Sequence, residues 1–309
     1  MRWVIFLVVL TIGAGLQAAT VRELGKVSLT TTSMAPMPGR VGGYYIADSS
    51  AGKFDCGEIR MLDNGASRTV FTFNGYNGKS PVALLTIGKT VYGITSSGGR
   101  NNDGVIFRLR GNGIQILAQF DDTSGPPQNL QAEGHTLCGA TTQGIFTLKG
   151  HAFAFYPLQV AECATMLHGA LYATRYIYIP SQLVRLDGAT EDLIQTDFPL
   201  LIIRGRAVIL GIDQYGGRYN SGRIMSYDPA TNSSRTLVDF QSYNGGSPTA
   251  FAVLGNGTLY TGNSDGVWGI GRRPTKLASL NFVHQLGATG RTLYGIHGAY
   301  PYFAFEIDP

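Results

Sequence analysis

Forty-two glycines in 309 residues, a charged fraction of only 14%, and a glycine-rich unit that recurs along the chain predict an all-β protein, a single seven-bladed β-propeller. The first two observations belong together. An average soluble domain carries about 25% charged residues and about 7% glycine. Many glycines with few charges suit short strands joined by tight turns. A hydrophobic fraction of 44%, with 16 tyrosines and 15 phenylalanines, excludes general disorder. No long stretch keeps a 3.6-residue apolar period, so almost no helix is expected.

The third observation is the repeat. Residues 91–109 read VYGITSSGGRNNDGVIFRL, and residues 209–227 read ILGIDQYGGRYNSGRIMSY, aligned without a gap. The positions equivalent to Tyr92 are Tyr45, Cys138, Tyr172, Leu210, Tyr260 and Tyr294, and neighbouring anchors lie 34 to 50 residues apart. A four-stranded propeller blade needs about 40 to 50 residues. In the second unit, strands A to D are expected at 81–87, 90–95, 105–109 and 114–120, with a glycine-rich loop between B and C. The seventh unit has A at 282–286, B at 292–296 and C at 302–307, and then the sequence reaches Pro309 without a strand D. A strand-like segment at 26–31 is expected to fill that place, so that the N-terminal strand closes the last blade and removes an exposed edge. The competing architecture, an open solenoid, would leave incomplete end units without caps.

The unit resembles the GloVer tandem-repeat family of exported bacterial proteins. Its typical unit reads LYGTTSxGGxxGxGTVFKL, then a strand ending in Phe, then NGxxGxxP. The matching stretches here are residues 91–109, Phe73-Asn74-Gly75-Tyr76-Asn77-Gly78-Lys79-Ser80-Pro81, and residues 240–248, which read FQSYNGGSP. The resemblance covers most of residues 40–307. It is strongest in units one, two and five, because units three, four, six and seven have shortened glycine loops. It implies an exported β-propeller, often surface-attached by varied anchors, and no common reaction. Kelch and WD repeats are neighbouring patterns, but no recurrent Gly-His…Trp-Asp signature is present.

Residues 1–19 read as a signal peptide. Arg2 is the positive start, residues 3–12 are apolar apart from Thr11, and Gln17-Ala18-Ala19 supplies a cleavage site. An uncleaved anchor is the alternative, although the stretch is short for a bilayer span. The mature domain is expected to be 20–309, secreted to an extracellular or periplasmic space, monomeric, and not inserted in a membrane after cleavage. Cys56, Cys138 and Cys163 allow at most one internal disulfide, match no zinc spacing, and read as small buried residues. The net charge of +4 is scattered, with no basic run beyond Arg272-Arg273, which argues against nucleic acid.

Strand direction alternates within a blade, so the B–C and D-to-next-A loops share one face. The residue closing strand B on that face is Asp48, Thr95, Thr141, Arg175, Asp213, Asn263 and His297 in the seven units. All are polar, and they form the candidate ligand-binding ring near the channel mouth. Tyr176, Tyr215 and Tyr219, with Tyr76, Tyr243 and Tyr300, fall in the loops above it. Flat aromatics beside amides and carboxylates suit sugar faces or peptide side chains. Arg175 could take a carboxylate or sulfate through paired hydrogen bonds. The competing reading is that these polar side chains hydrogen-bond the loop backbone, as Asp, Asn and Thr do at turns.

Chemical motifs are sparse. Gly262-Asn263-Ser264-Asp265-Gly266 matches G-x-S-x-G but falls in a short B–C loop rather than a strand-to-helix elbow. Gly78-Lys79-Ser80 lacks the glycine a phosphate loop needs, having Phe73 in its place. The five histidines show no metal spacing, His135 and His168 fall at A–B turns, and no D-x-D-x-D-G calcium loop occurs; no metal and no cofactor are expected. Asn232-Ser233-Ser234 and Asn256-Gly257-Thr258 fit the glycosylation acceptor of a eukaryotic secretory host. The first functional reading is a binding module for a glycan, a peptide or a surface protein. The second is a polysaccharide or lactone lyase or hydrolase at the channel mouth, with His297 as base, Arg175 neutralising a carboxylate, and Asp48 or Asp213 assisting. The third is a structural or assembly protein, which an exposed apolar blade edge would favour.

Overall fold

The computed structural model describes residues 19–176, 181–187, 190–199, 201–205, 207–243, 246–271 and 273–309. The expected leader lies outside them except for Ala19. The described chain forms seven four-stranded antiparallel sheets and no helix. In the order A to D, blade 1 comprises Thr31–Pro36, Gly43–Asp48, Glu58–Asp63 and Ala66–Thr72; blade 2, Lys79–Ile87, Thr90–Ser97, Val105–Arg110 and Gly113–Gln119. Blade 3 comprises Gln131–Glu133, Thr136–Ala140, Gly144–Lys149 and Ala152–Pro157; blade 4, Ala161–Leu167, Ala170–Arg175, Gln182–Asp187 and Thr190–Thr196. Blade 5 comprises Leu201–Arg204, Ile209–Asp213, Arg223–Asp228 and Ser233–Asp239; blade 6, Ala250–Val253, Leu259–Asn263, Gly266–Ile270 and Pro274–Ala278. Blade 7 takes Val283–Thr289, Thr292–His297 and Tyr302–Asp308, and its strand D is Thr20–Val27. All seven anchor residues lie on strands B.

The ring is closed as the repeat count requires, with one correction. The closing strand is Thr20–Val27, not 26–31. It pairs with Tyr302–Asp308 from Thr20↔Asp308 to Val27↔Tyr302. Ser28–Thr30 forms the next turn, where the Thr31 amide bonds the Ser28 carbonyl, and Thr31 already opens strand A of blade 1. A register shift at Glu23/Gly25 marks the closing strand as a true strand D. The C–D pairs of blades 1, 2, 4, 5 and 6 carry a shift at the corresponding place. Such bulges bend and twist a strand locally.

The core is not one mass but seven, one between each pair of consecutive blades. Strand alternation explains this. In strand C of blade 2, Val105 and Phe107 pack toward Ala47, Ile59 and Phe73 of blade 1, while Ile106 packs toward Leu137 and Phe146 of blade 3. A strand buried on both faces needs apolar residues at successive positions. Val105, Ile106 and Phe107 are all fully buried. Phe73, Phe120, Phe198 and Phe240 follow strands D of blades 1, 2, 4 and 5, and each is fully buried against the next blade. The three cysteines are free; Cys138 and Cys163 are buried, and burial pushes their thiols up to about 12 and about 11.

Candidate functional site

The two faces of the ring are built differently. The lower face carries the A–B and C–D connections, which are mostly two-residue turns such as Gly88-Lys89, Gly134-His135 and His168-Gly169. The upper face carries the B–C and D–A connections, including the long segments 49–57, 98–104, 120–130, 214–222 and 240–249. Short turns fix the blades, while long loops present side chains on a rigid support.

The seven residues that close strands B lie at the upper face, and four of them hold their own loops. Thr95 donates to the Ser97 carbonyl and accepts from the Val105 amide. Thr141 accepts from the Gln143 and Gly144 amides and donates to the Ser124 carbonyl. Asn263 accepts from the Asp265 and Gly266 amides and donates to the Gly246 carbonyl. Asp213 accepts from the Tyr215 and Gly216 amides, and its other oxygen lies 3.5 Å from Nε of Arg223. Side-chain closure of turns is the usual work of Asp, Asn and Thr. Asp48 is buried and accepts the hydroxyl of Thr30, while its Oδ2 has no partner among the described residues.

Arg175 and His297 turn toward the outer strands of their own blades. Arg175 donates from Nε to Gln182 at 2.8 Å and pairs with Glu191 on strand D of blade 4. His297 stacks on Phe303, with centroids 5.9 Å apart, and meets the ring of Phe305 edge-on. The two side chains therefore do not converge on one centre.

His297 is 7% exposed, and neither ring nitrogen makes a well-formed hydrogen bond among the described residues. Burial holds its pKa below the ordinary histidine value, opposed by the Glu23 carboxylate at 3.7 Å and by the Asn281 carbonyl, and assisted by His284. The unfolded chain therefore binds the proton first. Stability from this residue is complete above the unfolded histidine pKa and declines as pH falls through it. Denaturant midpoints of the wild type should fall between pH 7.5 and pH 5 more steeply than those of His297→Phe, which removes the titrating group. Equal slopes would show that the imidazole is not held neutral.

Exposed aromatics distinguish the upper face. Phe54, Tyr76, Tyr176, Tyr215, Tyr219, Tyr243, Phe282 and Tyr300 are the exposed phenylalanine and tyrosine side chains among the described residues, and every one lies on a B–C or D–A loop. Tyr76 and Tyr243 are 89% and 77% exposed and occupy equivalent places in the two copies of the Phe…Ser-Pro loop. In those copies Ser80 and Ser247 share a φ of 53° before the proline. The corresponding positions before strand A in blades 4 and 7 are Val160 and Phe282, at φ 51° and 49°. A bulky residue in that region is strained. Both side chains are about half exposed.

A cleft of about 560 Å³ lies on the lower face between blades 6 and 7. It is lined from the turns 254–258 and 290–291, from Gly271 and Arg273, and by Tyr260. None of the expected ring residues lines it. The sequence carried only two faint signs of it: the Arg272-Arg273 pair, of which Arg273 lines the cleft, and the Asn256-Gly257-Thr258 acceptor string, whose Asn and Thr line it too.

No family model matches the chain, and no curated protein matches it. Solved structures do. The extracellular domain of a protein described as a one-component system of B. thetaiotaomicron aligns with a TM-score of 0.62 at 14% identity, over 91% of this chain and 40% of that one. The present chain thus spans about two-fifths of that longer structure. The WD40 β-propeller domain of Doa1 aligns with a TM-score of 0.63 at 10% identity, over 93% of this chain and 97% of that one. A catalytically inactive virginiamycin B lyase of Staphylococcus aureus, solved with quinupristin, aligns with a TM-score of 0.63 at 12% identity, over 94% and 99%. Likeness at such identities establishes the fold alone, and these propellers serve unlike roles.

Proposed function

We propose that this chain is an exported β-propeller binding module that takes a glycan or an extracellular protein on its upper face. The observation that carries this reading is the confinement of the exposed aromatics to the upper loops. Those loops are rich in Gly, Ser and Asn, as in Ser96-Ser97-Gly98-Gly99 and Tyr215-Gly216-Gly217-Arg218-Tyr219-Asn220-Ser221. Tyrosine among Gly, Ser and Asn is the composition of binding loops. The ring supplies rigid contact area at small entropic cost, and the small polar residues supply adaptable hydrogen bonds. Backbone strain at Val160 and Phe282, each showing an apolar side chain to solvent, supports the same face. Export and membership of a GloVer-type repeat family belong to this proposal and rest on the N-terminal pattern and on residues 73–81, 91–109 and 240–248.

The lyase or hydrolase reading gains no support, because Arg175 and His297 are engaged by separate blades on opposite stretches of the ring. The test is a glycan array beside an array of extracellular proteins, probed with the wild type and with Tyr76→Ala/Tyr215→Ala/Tyr243→Ala. These side chains are exposed, so the triple variant should fold. A ligand found on either array should lose at least about 30-fold in affinity, or about 2 kcal/mol. Full retention of binding by the variant would overturn the assignment to the upper face.

A further inference from the structure

The lower cleft between blades 6 and 7 has walls and a charge pattern of its own. Leu254, Ile270 and Leu277 make the walls apolar. Arg273 and Arg291 stand on its margin, and neither has an ion-pair partner among the described residues. The third cation, Lys276, is already engaged, since its ammonium pairs with Asp265 and lies 5.2 Å from the Trp268 ring. Tyr260 is 8% exposed and lines the cleft, yet its hydroxyl has no hydrogen bond among the described residues. The hydroxyl is not among the fully buried polar atoms, so it opens into the cleft and is free to donate. Burial also raises its pKa, which keeps it a donor.

We propose that this cleft binds a small organic anion with an apolar body, of the alkyl sulfate or alkyl carboxylate class. No acidic side chain lines the cleft beside Pro309, and the two guanidinium groups present planar donor forks that fit such an anion. The Tyr260 hydroxyl supplies a further donor, and the three aliphatic walls take the hydrocarbon. A volume of about 560 Å³ is within the range of small-ligand sites. The site lies on the face opposite the aromatic loops, so it stands or falls independently of the function proposed above.

Isothermal titration of the full chain with hexyl sulfate, 1-hexanol and inorganic sulfate tests it. Hexyl sulfate should bind saturably at one per chain. Hexanol and inorganic sulfate should each bind at least about tenfold more weakly, because each offers only half of the recognised chemistry. Arg273→Gln/Arg291→Gln, two exposed positions, should weaken hexyl sulfate at least about tenfold. Tyr260→Phe, which keeps the packing, should weaken it severalfold, with circular dichroism confirming that both variants remain folded. Absence of saturable binding, hexanol binding as well as hexyl sulfate, or unchanged affinity in the arginine variant would each overturn the proposal.

Discussion

Deleting Thr20–Val27 is expected to abolish the stable ring, at a cost of at least about 5 kcal/mol, which is of the order of a domain's whole stability. The strand is short, but three kinds of interaction depend on it. It covers the edge of Tyr302–Asp308 along the full ladder from Thr20↔Asp308 to Val27↔Tyr302. Leu24, 3% exposed, fills the interface between blades 7 and 1 beside Met34, Tyr44 and Leu62. Arg22 pairs with Glu306 at 2.5 Å, and Glu306 in turn accepts the buried Tyr44 hydroxyl at 3.0 Å. Without Arg22, Glu306 would stay largely enclosed without its cation, and breaking such a pair from one side is costly. The bared strand would also offer an unpaired edge to other chains. Thermal unfolding followed by circular dichroism, with size-exclusion chromatography, should show a collapse of the melting transition and association of the deleted protein. A milder variant, Leu24→Asp, should fall between the two. A deletion variant that is monomeric and melts with the wild type would mean that the ring is held by the other six interfaces alone.

How far the sequence carried this architecture depends on what each signal encodes. The anchor of the repeat falls on strand B in all seven blades, because the short apolar run there is bounded by glycine in most units. The closing strand, Thr20–Val27, lies several residues before the segment 26–31 that the pattern predicts. Thr30 to Thr32 is a β-branched run that reads as the continuation of the preceding strand, whereas the chain turns at Ser28–Thr30 and enters the inner strand of blade 1. Alternation located the upper ring of polar residues but not their orientation. Whether Arg175 looks into the channel or across to Glu191 depends on the outer strand of its blade, which no local pattern specifies. The lower cleft is illegible for a plainer reason: its lining comes from turns and strand ends of blades 6 and 7 that lie apart in the sequence.

The glycines of the repeat are the other place where sequence and structure meet, and Gly104→Ala should be among the most damaging single changes in the chain. Gly57, Gly104 and Gly222 each precede strand C, in blades 1, 2 and 5, with φ of 93°, 94° and 96°. At each, an added Cβ would press on the carbonyl oxygen of the residue that closes strand B: Asp48, Thr95 or Asp213. It would also meet a proline at the next blade: Pro81, Pro127 or Pro248. The backbone here therefore passes through a crowded junction between two blades, in a region L-residues avoid. At Gly104 the carbonyl of Thr95 cannot yield easily, because the Thr95 hydroxyl also ties the loop to Val105 and Ser97. Gly104→Ala should cost at least about 2 kcal/mol, from strain and overpacking together. Gly111→Ala is the control. It has φ of 58° and nothing within 4 Å of the added carbon, so it should cost only about 1 kcal/mol. Urea unfolding of the two variants beside the wild type compares a crowded junction at φ of 94° with an open left-handed turn at φ of 58°. Equal losses would mean that the repeated glycine serves φ alone. A larger loss at Gly104 would show that the glycine before strand C records where one blade must pass close to the next.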